Sequence, residues 1–166
     1  MVELLAGLAI VGILSLAAAR PAAQWWREQR SHAVSSLLES HLALARSAAI
    51  AKGQPVALTP FNEQWSHGWR VHLDANADGR WGDGEDILAS HAMRPGIVIQ
   101  ASGVMQRYVL FEPSGRPVQT HGAFLAGTFS ICASASGPST RLVMSASGRV
   151  RKERALDSVC EPMGTP

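Results

Sequence analysis

Two stretches of this 166-residue chain concentrate side chains able to do chemistry. The first reads Asp74-Ala-Asn76-Ala-Asp78-Gly79-Arg80-Trp81-Gly82-Asp83-Gly84-Glu85. Oxygen-bearing side chains at its first, third and fifth places, glycine at the sixth and glutamate at the twelfth fit the calcium-loop pattern. Calcium needs six or more oxygens, and Asp74, Asn76, Asp78, the Arg80 carbonyl and Glu85 supply most of them. An EF-hand also requires flanking helices, whereas the flanks here, Val71-His-Leu and Ile87-Leu-Ala, read as strands. Asn, Asp and Gly build hairpin loops without any metal as well, so a plain polar turn stands beside the calcium reading.

The second stretch is basic. Arg141, Arg149, Arg151, Lys152 and Arg154 fall within fourteen residues, opposed only by Glu153. If residues 149–151 are extended, the period of two sends Arg149 and Arg151 to one face and Val150 to the other. Gly148 ahead of them allows a tight turn and close backbone approach. Two guanidinium groups about 7 Å apart, two strand steps, suit successive phosphates of a nucleic-acid backbone. Each neutralised phosphate releases counterions, so even a small patch gives salt-dependent, sequence-independent binding. The competing reading is a strand edge whose charges prevent edge-to-edge pairing.

The remaining reactive residues are dispersed. His32, His41, His67, His72, His91 and His121 show no HxxxH or HExxH spacing. His72, between Val71 and Leu73, is expected on the solvent face of a strand. No GxSxG, catalytic Cys-His signature or phosphate-binding glycine loop occurs, so the chain reads as a non-enzyme that needs no cofactor. The formal net charge of +2 excludes a polycation and makes any nucleic-acid role a matter of local clustering. Cys132 and Cys160 lie far apart with no CxxC. In an oxidising compartment they suggest one disulfide, which in the chain-entropy model stabilises by about 3–4 kcal/mol. Two unrelated buried thiols are the other option.

A framework must hold these residues, and the length leaves room for one domain. Leu4 to Ala19 carries no charge and one hydroxyl, Ser15. Such a run, about 16 residues, is slightly short of the ~20 that span a bilayer as a helix. Val2 and the helix beyond Arg20 extend it, with the arginine snorkelling. Glu3 at its head is either a functional carboxylate at hydrocarbon depth or a first-turn acid favoured by the helix dipole. An acid ahead of the run and a helical pattern after it argue against signal cleavage. Pro21 predicts a kink. Trp25 and Trp26 suit either a membrane interface or packing on the folded domain. Val34, Leu37, Leu38, Leu42, Ala45 and Ala49 then mark an amphipathic helix, which Gly53 and Pro55 end.

After residue 54 the period changes. Val56–Leu58, Trp69–Leu73, Ile97–Ile99, Tyr108–Phe111, Thr128–Cys132 and Arg141–Met144 are short apolar or alternating runs. Asp78-Gly79, Pro95-Gly96, Ser114-Gly115, Gly137-Pro138 and Ser147-Gly148 separate them as turns. The fold class is therefore α+β: a long N-terminal helix followed by an antiparallel β-sheet domain. Residues 1–27 form the apolar half of the helix, and 28–166 the globular part.

Val2-Glu3-Leu4-Leu5, with the apolar run through Gly12-Ile13-Leu14, resembles the N-terminus of mature type IV pilins and type II secretion pseudopilins. Trp69-Arg-Val-His-Leu-Asp74, Phe111-Glu-Pro-Ser-Gly115-Arg116 and Arg141-Leu-Val-Met-Ser resemble the FimT/GspH family in particular. The resemblance implies that Glu3 pairs with the N-terminal amine of a neighbouring subunit during assembly. It implies a helix held first in the inner membrane, with the globular domain in the periplasm, and later packed in a filament with other pilin subunits. Family members begin with a basic leader ending in Gly, then a methylated Phe, Thr and Leu; Met1 stands at the leucine, which implies a start upstream. Gly148-Arg149-Val150-Arg151 resembles the GRxR motif of FimT pilins that bind double-stranded DNA in natural transformation. That implies DNA contact through Gly148, Arg149, Arg151, Lys152, Arg154 and Arg141. A GspH-type pseudopilin acting in protein export shares the fold, and a membrane-tethered calcium module rests on the Asp74–Glu85 loop alone.

Overall fold

In the computed structural model the described residues are 2–133 and 139–155, with side chains from residue 29 onward and those of Gly7 and Trp26. Among the described residues one α-helix, α1 (Val2–Lys52), leads into nine strands and three short 3-10 turns. It runs through Pro21 without interruption and stops where Gly53 takes φ 63°, the left-handed turn that glycine accepts at a helix end. Among the described residues no helix is long and apolar enough to cross a membrane.

The strands form two antiparallel sheets. In chain order they are β1 (Val56–Pro60), β2 (Gly68–Leu73), β3 (Ile87–Ala92), β4 (Val98–Ala101), β5 (Val109–Phe111), β6 (Pro117–Val118), β7 (Gly127–Cys132), β8 (Ser139–Met144) and β9 (Val150–Ala155). The first sheet has the order β3-β2-β1-β5-β6 and the second β4-β7-β8-β9. The alternating runs of the sequence supply six of these strands. β3 grows from the Ile87-Leu-Ala run that flanks the acidic loop, while β6 is short and β9 polar, and these two become strands because each pairs with a stronger neighbour.

Both sheets pack on the same face of α1. Val34, Leu38, Leu42, Ala45 and Ala49 are buried in one core with Leu58, Val71 and Phe111 of the first sheet and Phe129, Leu142 and Met144 of the second. The three- and four-residue spacing of those helical positions is what makes a continuous stripe. Trp65 joins the layers: its ring meets Phe129 edge-on at 4.8 Å, and its indole N–H donates to the Met105 carbonyl at 2.9 Å. Trp69 donates from its indole to His41 Nδ1 of α1 at 2.8 Å, and its ring lies 5.2 Å from that of His91. The opposite face of the first sheet carries a smaller cluster of Ala57, Tyr108, Leu110 and Val118.

Gly68 shows how close β2 and β3 approach. It holds φ 112°, and a Cβ there would collide with the His91 backbone carbonyl. Gly53 also has positive φ but faces open space. Gly53→Ala therefore costs about 1 kcal/mol in left-handed strain alone, whereas Gly68→Ala costs at least about 3 kcal/mol or prevents folding; urea-unfolding midpoints of the two variants measure the difference.

Burial, then the neighbouring His91, lowers the pKa of His41 from its ordinary value. The folded state thus resists a proton that the unfolded chain accepts, so stability is present above the unfolded pKa and is lost as pH falls below it. Protonation at Nδ1 also removes the acceptor of the Trp69 indole. The melting temperature should fall between about pH 7.5 and about pH 5.5. His41→Gln should flatten that fall, read by near-ultraviolet circular dichroism.

Candidate functional site

The basic residues lie on the β8–β9 hairpin, and one glycine shapes its tip. Gly148 N–H donates to the Ser145 carbonyl at 2.8 Å, and Ser145 N–H to the Arg149 carbonyl at 2.9 Å. Gly148 holds φ 78°, which a side chain disfavours. A Cβ there would stand 3.1 Å from Pro117 Cδ and 3.4 Å from Arg46 Nη1. Arg46, on α1, donates to the Gly148 carbonyl at 3.2 Å. The tip is therefore fastened to the helix and seated against the turn that joins β5 to β6.

Register decides which charges act together. Val143 faces Arg151 and Arg141 faces Glu153 across the hairpin, and the Ser145–Arg149 bond continues that ladder. Alternation then puts Arg149, Arg151 and Glu153 on the outward face beside Arg141. The Arg151 side chain is 68% exposed, and its Nη2 lies 2.9 Å from Glu153 Oε1. An exposed pair of this kind is worth under about 1 kcal/mol, so a phosphate can replace it. Lys152 points the other way. Its Nζ donates to Ser36 Oγ at 2.9 Å and stands 3.5 Å from Glu39 Oε2, both on α1. Arg154 shares its parity. The six residues grouped from the sequence thus divide: three arginines outward, Lys152 and Arg154 on the helix-side face, Gly148 at the turn. Arg46, Ser36 and Glu39 escaped the sequence reading, since nothing local links them to partners about a hundred residues away.

The Asp74–Glu85 segment is a long loop between β2 and β3, folded over the outer face of the first sheet. Asp74 is fully buried and accepts from Gly79 N–H at 2.9 Å and Asp78 N–H at 3.1 Å. Burial raises its pKa against those two bonds, with Glu85 and Asp78 adding repulsion. Asn76 Nδ2 donates to Asp78 Oδ2 at 3.0 Å, and Arg80 N–H to Asp78 Oδ1 at 2.8 Å. Glu85 Oε2 accepts from Gly82 N–H at 3.0 Å and meets His72 Nδ1 at 3.0 Å. His72 is fully buried, which overturns the expected solvent-facing position. The loop covers it, and its Nε2 lies 3.3 Å from Thr59 Oγ1. Among the described residues no group of three His, Cys, Asp or Glu is arranged to hold a metal ion.

Two assigned positions fall elsewhere. Cys132 is buried and disulfide-bonded, while Cys160 lies outside the described residues. Glu3 lies in α1, but its side chain is outside the described ones.

The family model described as type II transport protein GspH matches residues 35–148. No curated protein matches the chain in sequence. Among solved structures, the fold is similar to the type IV minor pilin FimU of Pseudomonas aeruginosa, with TM-score 0.58 and 18% identity, covering 76% of this chain and 90% of that one. It is also similar to the minor pseudopilin EpsH of the Vibrio cholerae type 2 secretion system, with TM-score 0.54 and 13% identity, covering 74% of this chain and 95% of that one.

Since the oxygens of Asp74, Asp78 and Glu85 already serve loop donors, calcium has to displace those bonds to bind. Added calcium should leave the melting temperature within about 1 °C of its value in chelator; a larger rise would restore the cation-loop reading.

Proposed function

The chain belongs to the GspH family, and from that membership we infer that it is a minor pilin-like subunit that touches DNA through its last hairpin. The observation carrying this reading is the common outward face of Arg149 and Arg151, on a tip tied to α1 by Arg46. A fastened tip presents two guanidinium groups with little ordering left to be done on binding. Their spacing follows the strand and suits successive phosphates, which carry no sequence information. Arg141 stands alongside as the third cation of that face. The N-terminal half of α1 would serve in the inner membrane before assembly and in the filament core after it, with Glu3 taking the amine of a neighbouring subunit. Uptake of bound DNA by natural transformation would be work done by other proteins.

A second reading has its own support. The matching family model is that of a type II transport protein, so a pseudopilin serving protein export fits the same fold. In that case the outward arginines guard the exposed edge of β9 against pairing with other chains.

A gel-shift titration separates the two. The full chain in neutral detergent should retard duplex DNA at low salt. Arg149→Gln with Arg151→Gln should weaken binding at least about tenfold and lower the log–log salt slope by about 2, with the melting temperature unchanged. Glu153→Gln should tighten binding, since it frees Arg151. An unchanged shift in the double variant would remove the hairpin from consideration and leave the export reading.

A further inference from the structure

A second cationic cluster lies on the opposite side of the first sheet. Arg70 of β2 pairs across the ladder with Thr59, on the face turned away from α1. Its guanidinium carbon lies over two aromatic rings, 4.6 Å from the centroid of Phe61 and 4.4 Å from that of Trp81. Cation–π attraction to two rings holds the group in place before any ligand arrives. Its Nε is buried and finds no acceptor among the described residues. An unpaired buried donor is costly, and each one in a folded protein calls for an explanation.

The ground in front of Arg70 is concave. A cleft of about 820 Å³ is lined by Arg70, Arg80, Arg107, Trp81, Glu63 and Asp78, among others. Asn62 and Glu63 on its rim take φ 49° and 60° in succession. Left-handed backbone at two adjacent non-glycine residues is strain of the kind that clusters at binding sites. The cleft wall depends on Gly79, where a Cβ would stand 2.7 Å from the Tyr108 ring.

The lining charges narrow the choice of ligand. Three arginines face two carboxylates, and Asp78 is already committed to Arg80 N–H and Asn76. Glu63 forms no ion pair among the described residues, and the three arginines exceed the two carboxylates of the lining by one charge, so a polyanion would leave the cleft net negative. A single carboxylate brings it to neutrality. It matches the planar fork of a guanidinium, and peptide N–H groups flanking it offer donors to Glu63. Trp81, 40% exposed, supplies apolar surface for the rest of the segment. We propose that this cleft binds an acidic side chain carried on a peptide segment of a partner protein, with its carboxylate on Arg70. The site is independent of the hairpin and of any DNA contact there.

The test uses the full chain in neutral detergent, labelled to report the Arg70 Nε–H resonance. The probe is the blocked tripeptide acetyl-Ala-Glu-Ala-amide. A saturable shift with a dissociation constant in the millimolar range, and at least about tenfold weaker binding of the Gln tripeptide, is the expected result. Arg107→Gln, on an exposed position, should weaken the acidic tripeptide at least about threefold with an unchanged melting temperature. No saturable shift, or equal shifts from the Glu and Gln tripeptides, would overturn the proposal. Free succinate binding as tightly as the tripeptide would assign the cleft to small carboxylates instead. Tighter binding of hexathymidylate would assign it to nucleic acid. Either of these also overturns the peptide assignment.

Discussion

One helical stripe has to satisfy two sheets at once. Val34, Leu38, Leu42, Ala45 and Ala49 are buried against both, so the larger apolar face of each sheet is covered by α1. Two small residues at the end of the stripe, Ala45 and Ala49, let the strands come near the helix. Arg46 stands between them in sequence and reaches the Gly148 carbonyl instead of solvent. Gly115, in the β5–β6 turn, packs there too, since a Cβ would meet the Ile50 side chain at 2.6 Å. The two sheets thus meet at the last turns of α1 through glycines, where larger residues would force them apart.

The other side of the first sheet is organised by polar groups. Along β2, Arg70 and His72 face outward, and Asp74 follows them into the loop. Burying such groups is unfavourable unless each has partners. The β2–β3 loop supplies them by folding back over the sheet. Asp74 takes two loop amides, and His72 takes Glu85 and Thr59. Arg70 takes two aromatic rings and leaves one donor over. The acidic residues that resemble a metal loop in the sequence therefore act here as internal acceptors. Their spacing is right for the pattern, but their lone pairs are directed at the loop's own backbone.

Much of the framework was legible in the residues because it rests on local periodicity. The stripe from Val34 to Ala49, the stop at Gly53 and the turns at Ser114-Gly115 and Ser147-Gly148 all follow from short-range rules. The shared face of Arg149 and Arg151 was legible for the same reason, since alternation needs only an extended backbone. His72 was misread because alternation says which face a side chain takes, not what covers that face. The covering came from a loop whose polarity suggested solvent. Lys152 was grouped with its neighbours because charge counting ignores parity, and its partners Ser36 and Glu39 lie on a distant helix. The Arg70 cluster left no local trace, as Phe61 and Trp81 approach it from separate segments. The GspH family match supports the class that the N-terminal and β-domain motifs suggested.

The fastening of the hairpin to α1 has a mechanical consequence. Arg46 grips the tip at Gly148, and Lys152 reaches Ser36 and Glu39 nearer the middle of the helix. A tug on the outward arginines is shared between two anchor points on a rod of 51 residues, about 75 Å long. Part of the load therefore passes straight into the helix, sparing the hydrogen-bonded ladder between β8 and β9 from carrying all of it.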